Sequence, residues 1–146
     1  MEIIKASLTQ LDIIVPLFNQ YRVFYNQLSD EKRAKDFLKE RIENKESEIF
    51  VAVEESVAVG FIQLYPSFSS ISLKRLWILN DLFVLPEFRK RSAASKLIIK
   101  AIHFAKETSA IGLVLETGKT NEAAQKLYNK LGFSKSEDFY VYYYSL

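Results

Sequence analysis

Apolar and polar positions recur along this chain with two different periods, and the switches between those periods predict its elements. Residues 2–7 (EIIKAS) read as a first strand. Ser7 or Thr9 can cap a helix running to about Asn26, with Leu11, Ile14, Val15, Phe18, Arg22 and Tyr25 at helical spacing. Pro16 lies inside that run and predicts a kink or a late helix start. The segment SDEKRAKDFLKERIENK opens on a Ser-Asp cap signal and places Phe37, Leu38 and Ile42 at helical spacing. Three strands follow: EIFVAVEE (48–55), AVGFIQLY (58–65) and KRLWILNDLFV (74–84), the last ended by Pro86. Then come a helix over 91–108, a strand GLVLET (112–117) and a helix from Asn121 to about Leu131, stopped by Gly132. A last strand, DFYVYYYSL, completes the order β-α-α-β-β-β-α-β-α-β, which predicts an α+β or α/β fold around a mixed sheet. No repeat or linker interrupts the pattern, and 146 residues suit a single domain over 1–146.

Composition narrows the function more than the fold. Apolar residues make up 49% and charged residues 26%, as in an ordinary globular protein. A net charge of +2 is too mild for nucleic acid as the main partner. Charge is concentrated locally instead: Arg89, Lys90, Arg91, Lys96 and Lys100 lie in a stretch without an acid, which suits a compact anionic ligand. The absence of cysteine excludes disulfides, Cys-ligated zinc and thiol nucleophiles. His103 is the only histidine and falls off the apolar stripe of its helix (Ala94, Leu97, Ile98, Ala101, Ile102, Ala105), so it reads as a surface residue, and no metal site is expected. Neither a leader nor an apolar run of membrane-spanning length is evident, and a cytoplasmic protein without a membrane partner is the expectation.

Three stretches carry candidate chemistry. Strand 74–84 is apolar except for Asn80 and Asp81 at its centre. Strict alternation puts one polar residue on each face: Asn80 with Leu76, Ile78, Leu82 and Val84, and Asp81 with Trp77, Leu79 and Phe83. Such a pair marks either a bulge or exposed edge, or a cleft with a carboxylate at its floor. The strand then runs through EFRKRSAASKLI into a helix start, where unpaired N–H groups and the dipole favour an anion. On charge alone, a solvated basic turn is an equal reading. In ETGKTNEAAQKLYNKLGF, Asn121 reads by itself as a helix cap and Tyr128 as a core aromatic.

Together these stretches resemble the GNAT superfamily of acetyl-CoA-dependent N-acetyltransferases over essentially the whole chain. The family's cofactor motif, Arg/Gln-x-x-Gly-x-Gly/Ala, is matched by Arg89-Lys90-Arg91-Ser92-Ala93-Ala94 except that Ser92 replaces the first glycine. The later motif is matched by Asn121, Ala124, Leu127-Tyr128 and Leu131-Gly132-Phe133. The resemblance implies an α/β/α sandwich whose mixed, mostly antiparallel sheet splays between its fourth and fifth strands. It implies acetyl-CoA as cofactor, with backbone groups of Phe83 and Val84 along the pantetheine arm. The amides of Arg91, Ser92, Ala93, Ala94 and Ser95 would hold the pyrophosphate, with Asn121 as a further contact. Tyr128, near the sulfur, would protonate the departing thiolate, and a primary amine would attack the thioester directly.

The strand LWILNDLFV resembles that of diamine and polyamine acetyltransferases, where a Glu-Asp pair stands at this place. Here Asn80 replaces the glutamate and Asp81 matches the aspartate. Asp81 is the first candidate for the base and Glu116 a weaker one. Tyr21 and Tyr25, at i and i+4, can line one wall for a cationic amine, while Tyr140, Tyr142 and Tyr144 are either a wall or a contact between copies in a homodimer. The implied partner is a small-molecule amine, whether a polyamine or amino-acid-like acceptor. Alternatives are a protein lysine or N-terminal acetyltransferase, and a silent acyl-CoA-binding module.

Overall fold

The structure is a computed structural model describing residues 1–146, and it divides into two compact units, Met1–Glu116 and Thr117–Leu146. In the first unit β1 (Glu2–Lys5) is followed by α1 (Leu11–Phe24), α2 (Glu31–Glu43), β2 (Glu48–Glu54), β3 (Val57–Ser69), β4 (Lys74–Val84), α3 (Ala93–Glu107) and β5 (Leu113–Val114). The sheet order is β1-β2-β3-β4-β5, antiparallel throughout except for the parallel β4–β5 pair. This is the mixed, mostly antiparallel sheet that the sequence predicts. No helix is long and apolar enough to cross a membrane.

The two faces of the sheet are covered differently. On one, Leu11, Ile14, Leu17 and Phe18 of α1 and Ala34 and Leu38 of α2 form a buried cluster with Ile49, Val51, Phe61 and Phe83. On the other, α3 buries Ala93, Leu97, Ile98, Ala101 and Ala105, and Phe104 meets the rings of Phe50 and Trp77. His103 is exposed, as its position off that stripe predicts. The capping box of Ser7 and Gln10 opens a short 3-10 turn, from which α1 continues without interruption through Pro16. Pro16 cannot donate to the carbonyl four residues back, and the helix tolerates that one missing bond in place of the expected late start. Asn19, buried in α1, donates to Ser29 Oγ (2.9 Å) and accepts from the Asp30 N–H (2.8 Å), tying α1 to the start of α2. Asp30 caps α2 by accepting from Arg33 N–H at 3.0 Å.

β4 does not alternate as a regular strand. Gln63 opposes Asp81 and Leu64 opposes Leu79, so Asn80 is an extra residue without a partner on β3. A bulge of this kind reverses the facing of everything beyond it. Trp77 lies on the α3 side, where its Nε1–H donates to Thr108 Oγ1 at 2.8 Å. Phe83 lies on the α1 side, against the ring of Tyr21. The expectation that Trp77 and Phe83 share a face, with Asn80 and Asp81 on opposite faces, is therefore overturned.

β5 is also shorter than predicted. It pairs with β4 only at Trp77–Leu113 and Ile78–Val114, and from Leu79 to Val84 the fourth strand continues with no partner on that side. This is the expected splay.

In the second unit, α4 (Glu122–Lys130) is capped by Asn121, whose Oδ1 accepts from the Ala124 N–H at 3.2 Å. Gln125 Nε2 donates to the carbonyls of Gly118 and Lys119, both at 3.0 Å, and pins the preceding turn. The helix ends in a Schellman motif: Gly132 N–H donates to Asn129 O (3.1 Å) and Phe133 N–H to Tyr128 O (3.0 Å). Gly132 has φ 93°, so glycine is the residue this stop requires. No strand forms over DFYVYYYSL; residues 133–146 have no regular structure, and Tyr140, Tyr142 and Tyr144 are exposed. Alternation marks which side chains would share a face, but a strand exists only where a neighbour supplies the ladder.

Candidate functional site

On the α1–α2 face of the first unit, a cleft of about 290 Å³ is lined by Phe18, Tyr21, Arg22, Arg33, Ala34, Phe37, Tyr65, Asn80 and Asp81. Both central polar residues of β4 reach it, because the bulge turns Asn80 and Asp81 to one side. β3 contributes Tyr65, on the same face as Phe61 and Gln63 by its period of two.

Asp81 is only 4% exposed and sits among donors. Gln63 Nε2 donates to its Oδ2 at 2.7 Å, Asn80 Nδ2 to its Oδ1 at 3.0 Å, and the Tyr21 hydroxyl is a third donor. Burial pushes the Asp81 carboxyl above the ordinary aspartate value, and the three hydrogen bonds only partly offset it. Burial, with the Asp81 charge nearby, pushes the phenols of Tyr21 and Tyr65 far up, so both stay neutral. Gln63 is fully buried, yet its Oε1 has no hydrogen-bond partner. A half-turn of that amide would present an acceptor to a protonated Asp81, so the pair suits either state of the carboxyl.

The remaining candidates divide. Tyr21 lines the cleft; Tyr25 meets its ring at 5.0 Å but is itself exposed and outside the lining. Glu116 is exposed beyond the end of β5 and is also outside the lining. Sequence reading missed Tyr65, Gln63, Arg22 and Arg33. The signal for the first two was present, since Gln63 and Tyr65 are two residues apart in a strand that is otherwise apolar.

At the other end of β4, the turn into α3 explains the missing glycine. Ser92 is the N-cap of α3 with φ 68°, ψ 4°, and Lys90 also has positive φ, at 62°. Left-handed backbone is where glycine costs least, so Ser92 occupies a strained glycine position instead of the first residue of an ordinary helical turn. The first bond of the helix runs from Lys96 N–H to Ser92 O at 2.9 Å. By helix geometry, the N–H groups of Ala93, Ala94 and Ser95 project from the helix start. Two left-handed residues alternating with Arg91 give the turn the concave backbone that accepts anions. Arg89 Nε donates to the Val84 carbonyl at 3.0 Å, and its guanidinium lies 5.9 Å from the ring of Phe83 and 6.0 Å from that of Phe24. One lone pair of Val84 O is therefore engaged within the chain. Gly60, opposite Val84, lets β3 approach closely: a Cβ there would fall 2.8 Å from Phe83 O.

An open strand edge leading to a helix start with projecting amides and three basic residues fits a long, phosphate-bearing cofactor. The strand edge can take an extended amide-bearing arm, and the turn can take its phosphates.

The family model described as Acetyltransferase (GNAT) family matches residues 14–133. The chain is 45% identical to the uncharacterized N-acetyltransferase YhfO of Bacillus subtilis (strain 168) over 142 residues, covering 97% of this chain and 95% of that protein. It is 27% identical to the aminoglycoside N(6')-acetyltransferase type 1 of Salmonella typhimurium, over 64% of this chain and 66% of that one. The crystal structure of a probable acetyltransferase superposes with a TM-score of 0.95 at 44% identity, covering 100% of this chain and 98% of that one. The chain thus belongs to the GNAT family of acetyltransferases, enzymes whose acetyl donor is acetyl-CoA.

Proposed function

We propose that this enzyme acetylates the primary amine of a small acceptor held in the cleft between α1, α2 and the β3–β4 pair. The observation that carries this reading is Asp81, a carboxylate nearly closed from solvent that still lines a cleft with aromatic walls. An ammonium is attracted to the ring of Tyr65 and to the Asp81 charge, both in the cleft lining. An amine with a pKa near 10 is mostly protonated at neutral pH and must lose a proton before it attacks. Asp81 is assigned that proton, directly or through a water; its raised proton affinity suits a base better than an ordinary aspartate. Gln63, Asn80 and Tyr21 orient the carboxyl.

Acetyl-CoA supplies an acetyl group activated as a thioester, which the amine attacks directly. Phe83 and Val84 backbone groups are assigned to its arm, and Arg89, Lys90, Arg91 and the amides of Ser92, Ala93, Ala94 and Ser95 to its phosphates. Tyr128 and Asn121 are assigned from the motif they share with the family. Tyr128 is the acid that meets the leaving thiolate, to which its hydroxyl donates a hydrogen bond. The family match extends across both units, which supports reading the whole chain as one acetyltransferase domain. A cytoplasmic location and a homodimer built on the exposed C-terminal tyrosines complete the proposal.

The test is a thermal-shift measurement with acetyl-CoA, followed by a thiol-release assay over polyamines, amino acids, aminoglycosides and peptides. Turnover on free amines supports the reading. Stabilisation by acetyl-CoA with no release on any amine would instead identify a silent acyl-CoA-binding module, and turnover on peptides alone a protein acetyltransferase.

A further inference from the structure

Three charged side chains line the cleft, and two of them are arginines, Arg22 and Arg33, against the single carboxylate of Asp81. A site built only for a polycation would not be lined this way. Several ammonium groups would face two guanidiniums with one acid to hold them, and like charges in a partly desolvated cleft repel strongly. Burial also favours the neutral form of that acid, so the lining is at least as positive as the formal count implies.

Arg22 adds a second, independent observation. Its Nη1 is buried without a hydrogen-bond partner. An unsatisfied buried donor is costly, and a charged one more so, so native proteins keep such groups mainly where something else completes them. Arg22 follows Tyr21 directly, and Tyr21 holds Asp81. Arg22, Tyr21 and Asp81 all line the same cleft.

Resting on the acetyltransferase reading above, we propose that the acceptor is a zwitterion. Its amine is directed to Asp81, and its carboxylate, or another planar oxyanion, to Arg22 with support from Arg33. A guanidinium matches a carboxylate in a two-point hydrogen-bonded pair that an ammonium cannot reproduce, so the Arg22 donor is completed only when such an acceptor is bound. Phe18, Phe37 and Tyr65, which line the same cleft, favour an acceptor that also carries an apolar or aromatic part.

The test uses matched acceptors on the full chain. Thiol release with acetyl-CoA is measured for amino acids from glycine to 6-aminohexanoate and for phenylalanine, each beside its carboxamide, and for diamines of equal length. Calorimetric binding of the same compounds to the protein loaded with CoA gives a readout independent of turnover. The expected result is a preference of about tenfold or more for the acid over its amide in at least one pair, the size of one lost charge-assisted hydrogen bond. Arg22→Gln should collapse that preference toward unity, and Arg22→Lys should restore only part of it. Both variants are checked for an unchanged thermal shift with CoA, which separates loss of the acceptor pocket from loss of folding. Amides or diamines accepted as well as acids would overturn the zwitterion and leave the acetyltransferase reading intact. Thiol release absent for all amines despite CoA binding would overturn the acetyltransferase reading itself, and calorimetry would then judge the pocket alone: no preference for acid over amide sinks it.

Discussion

Gln63 and Asp81 face each other across the β3–β4 pair, and the amide donates to the carboxylate at 2.7 Å in the interior of the sheet. The contact orients the carboxyl proposed as the base, whose proton affinity is raised by burial and only partly lowered by its donors. Asp81→Asn should lower kcat by about a hundredfold or more, the usual range for a lost general base. The thermal shift with acetyl-CoA should persist. Wild-type kcat/KM should rise with pH along a limb centred above the ordinary aspartate value, and the variant should lack that limb. Equal turnover by the variant would remove Asp81 from the reaction.

The same group sets a dependence of stability on pH. A carboxyl whose pKa is raised by folding binds its proton more tightly in the folded chain than in the unfolded one. Its stabilising contribution is complete below the unfolded value and is lost as pH rises through the folded value. Thermal melts of wild type and Asp81→Asn should therefore diverge with increasing pH, the variant becoming relatively more stable toward neutrality. A gap that widens toward acid would contradict the sign.

Tyr128 packs its ring on Phe133 at 5.7 Å inside the Schellman motif that ends α4. Tyr128→Phe keeps that ring and removes only the hydroxyl. Turnover should fall by about a hundredfold with acetyl-CoA affinity nearly unchanged, read by steady-state kinetics beside calorimetry. Undiminished turnover would leave the acid role to another group.

Ser92 stands at φ 68°, where a residue with a Cβ is strained by about 1–2 kcal/mol. Ser92→Gly should raise the melting temperature by about 2–4 °C and leave CoA binding intact or tighter. A large loss of CoA affinity would show instead that the serine hydroxyl holds the cofactor.

Gly60→Ala should act in the opposite direction. The new Cβ would lie 2.8 Å from the Phe83 carbonyl and 3.0 Å from a Val84 methyl, so the end of β4 must shift. A loss of about 1–3 kcal/mol in stability is expected, with weaker CoA binding in a thermal-shift titration. Unchanged affinity would show that the cofactor does not depend on this part of the strand.

What was legible in the sequence followed from local rules. Helix periods located α1, α2, α3 and α4, and the cap residues Asp30 and Asn121 act as their chemistry predicts. The splay and the basic turn were reached through the family motif. What failed depended on partners distant in sequence. The bulge at Asn80 is a register relation with β3, and alternation within one strand cannot reveal it. The open C-terminal stretch is a similar case, since DFYVYYYSL has every local mark of a strand and lacks the ladder. Ser92 is a different case: a serine at the motif's glycine position does not reveal the hand of its backbone, which only the turn geometry sets. Arg22 and Arg33 escaped notice because a cleft between two helices and a sheet is a property of packing, and an arginine on a helix face ordinarily points to water.

The bulge at Asn80 makes β4 two half-strands set out of phase by one residue. The first half is fixed to the α3 layer by Trp77, and the second presents Asp81 to the cleft and leaves its β5-side edge unpaired. Deleting Asn80 would place Asp81 directly after Leu79 and still opposite Gln63, so the carboxyl would keep its side of the sheet while the cleft would lose the Asn80 amide. The extra residue thus adds a second polar side chain beside Asp81 on the cleft side without changing the carboxyl's partner across the sheet.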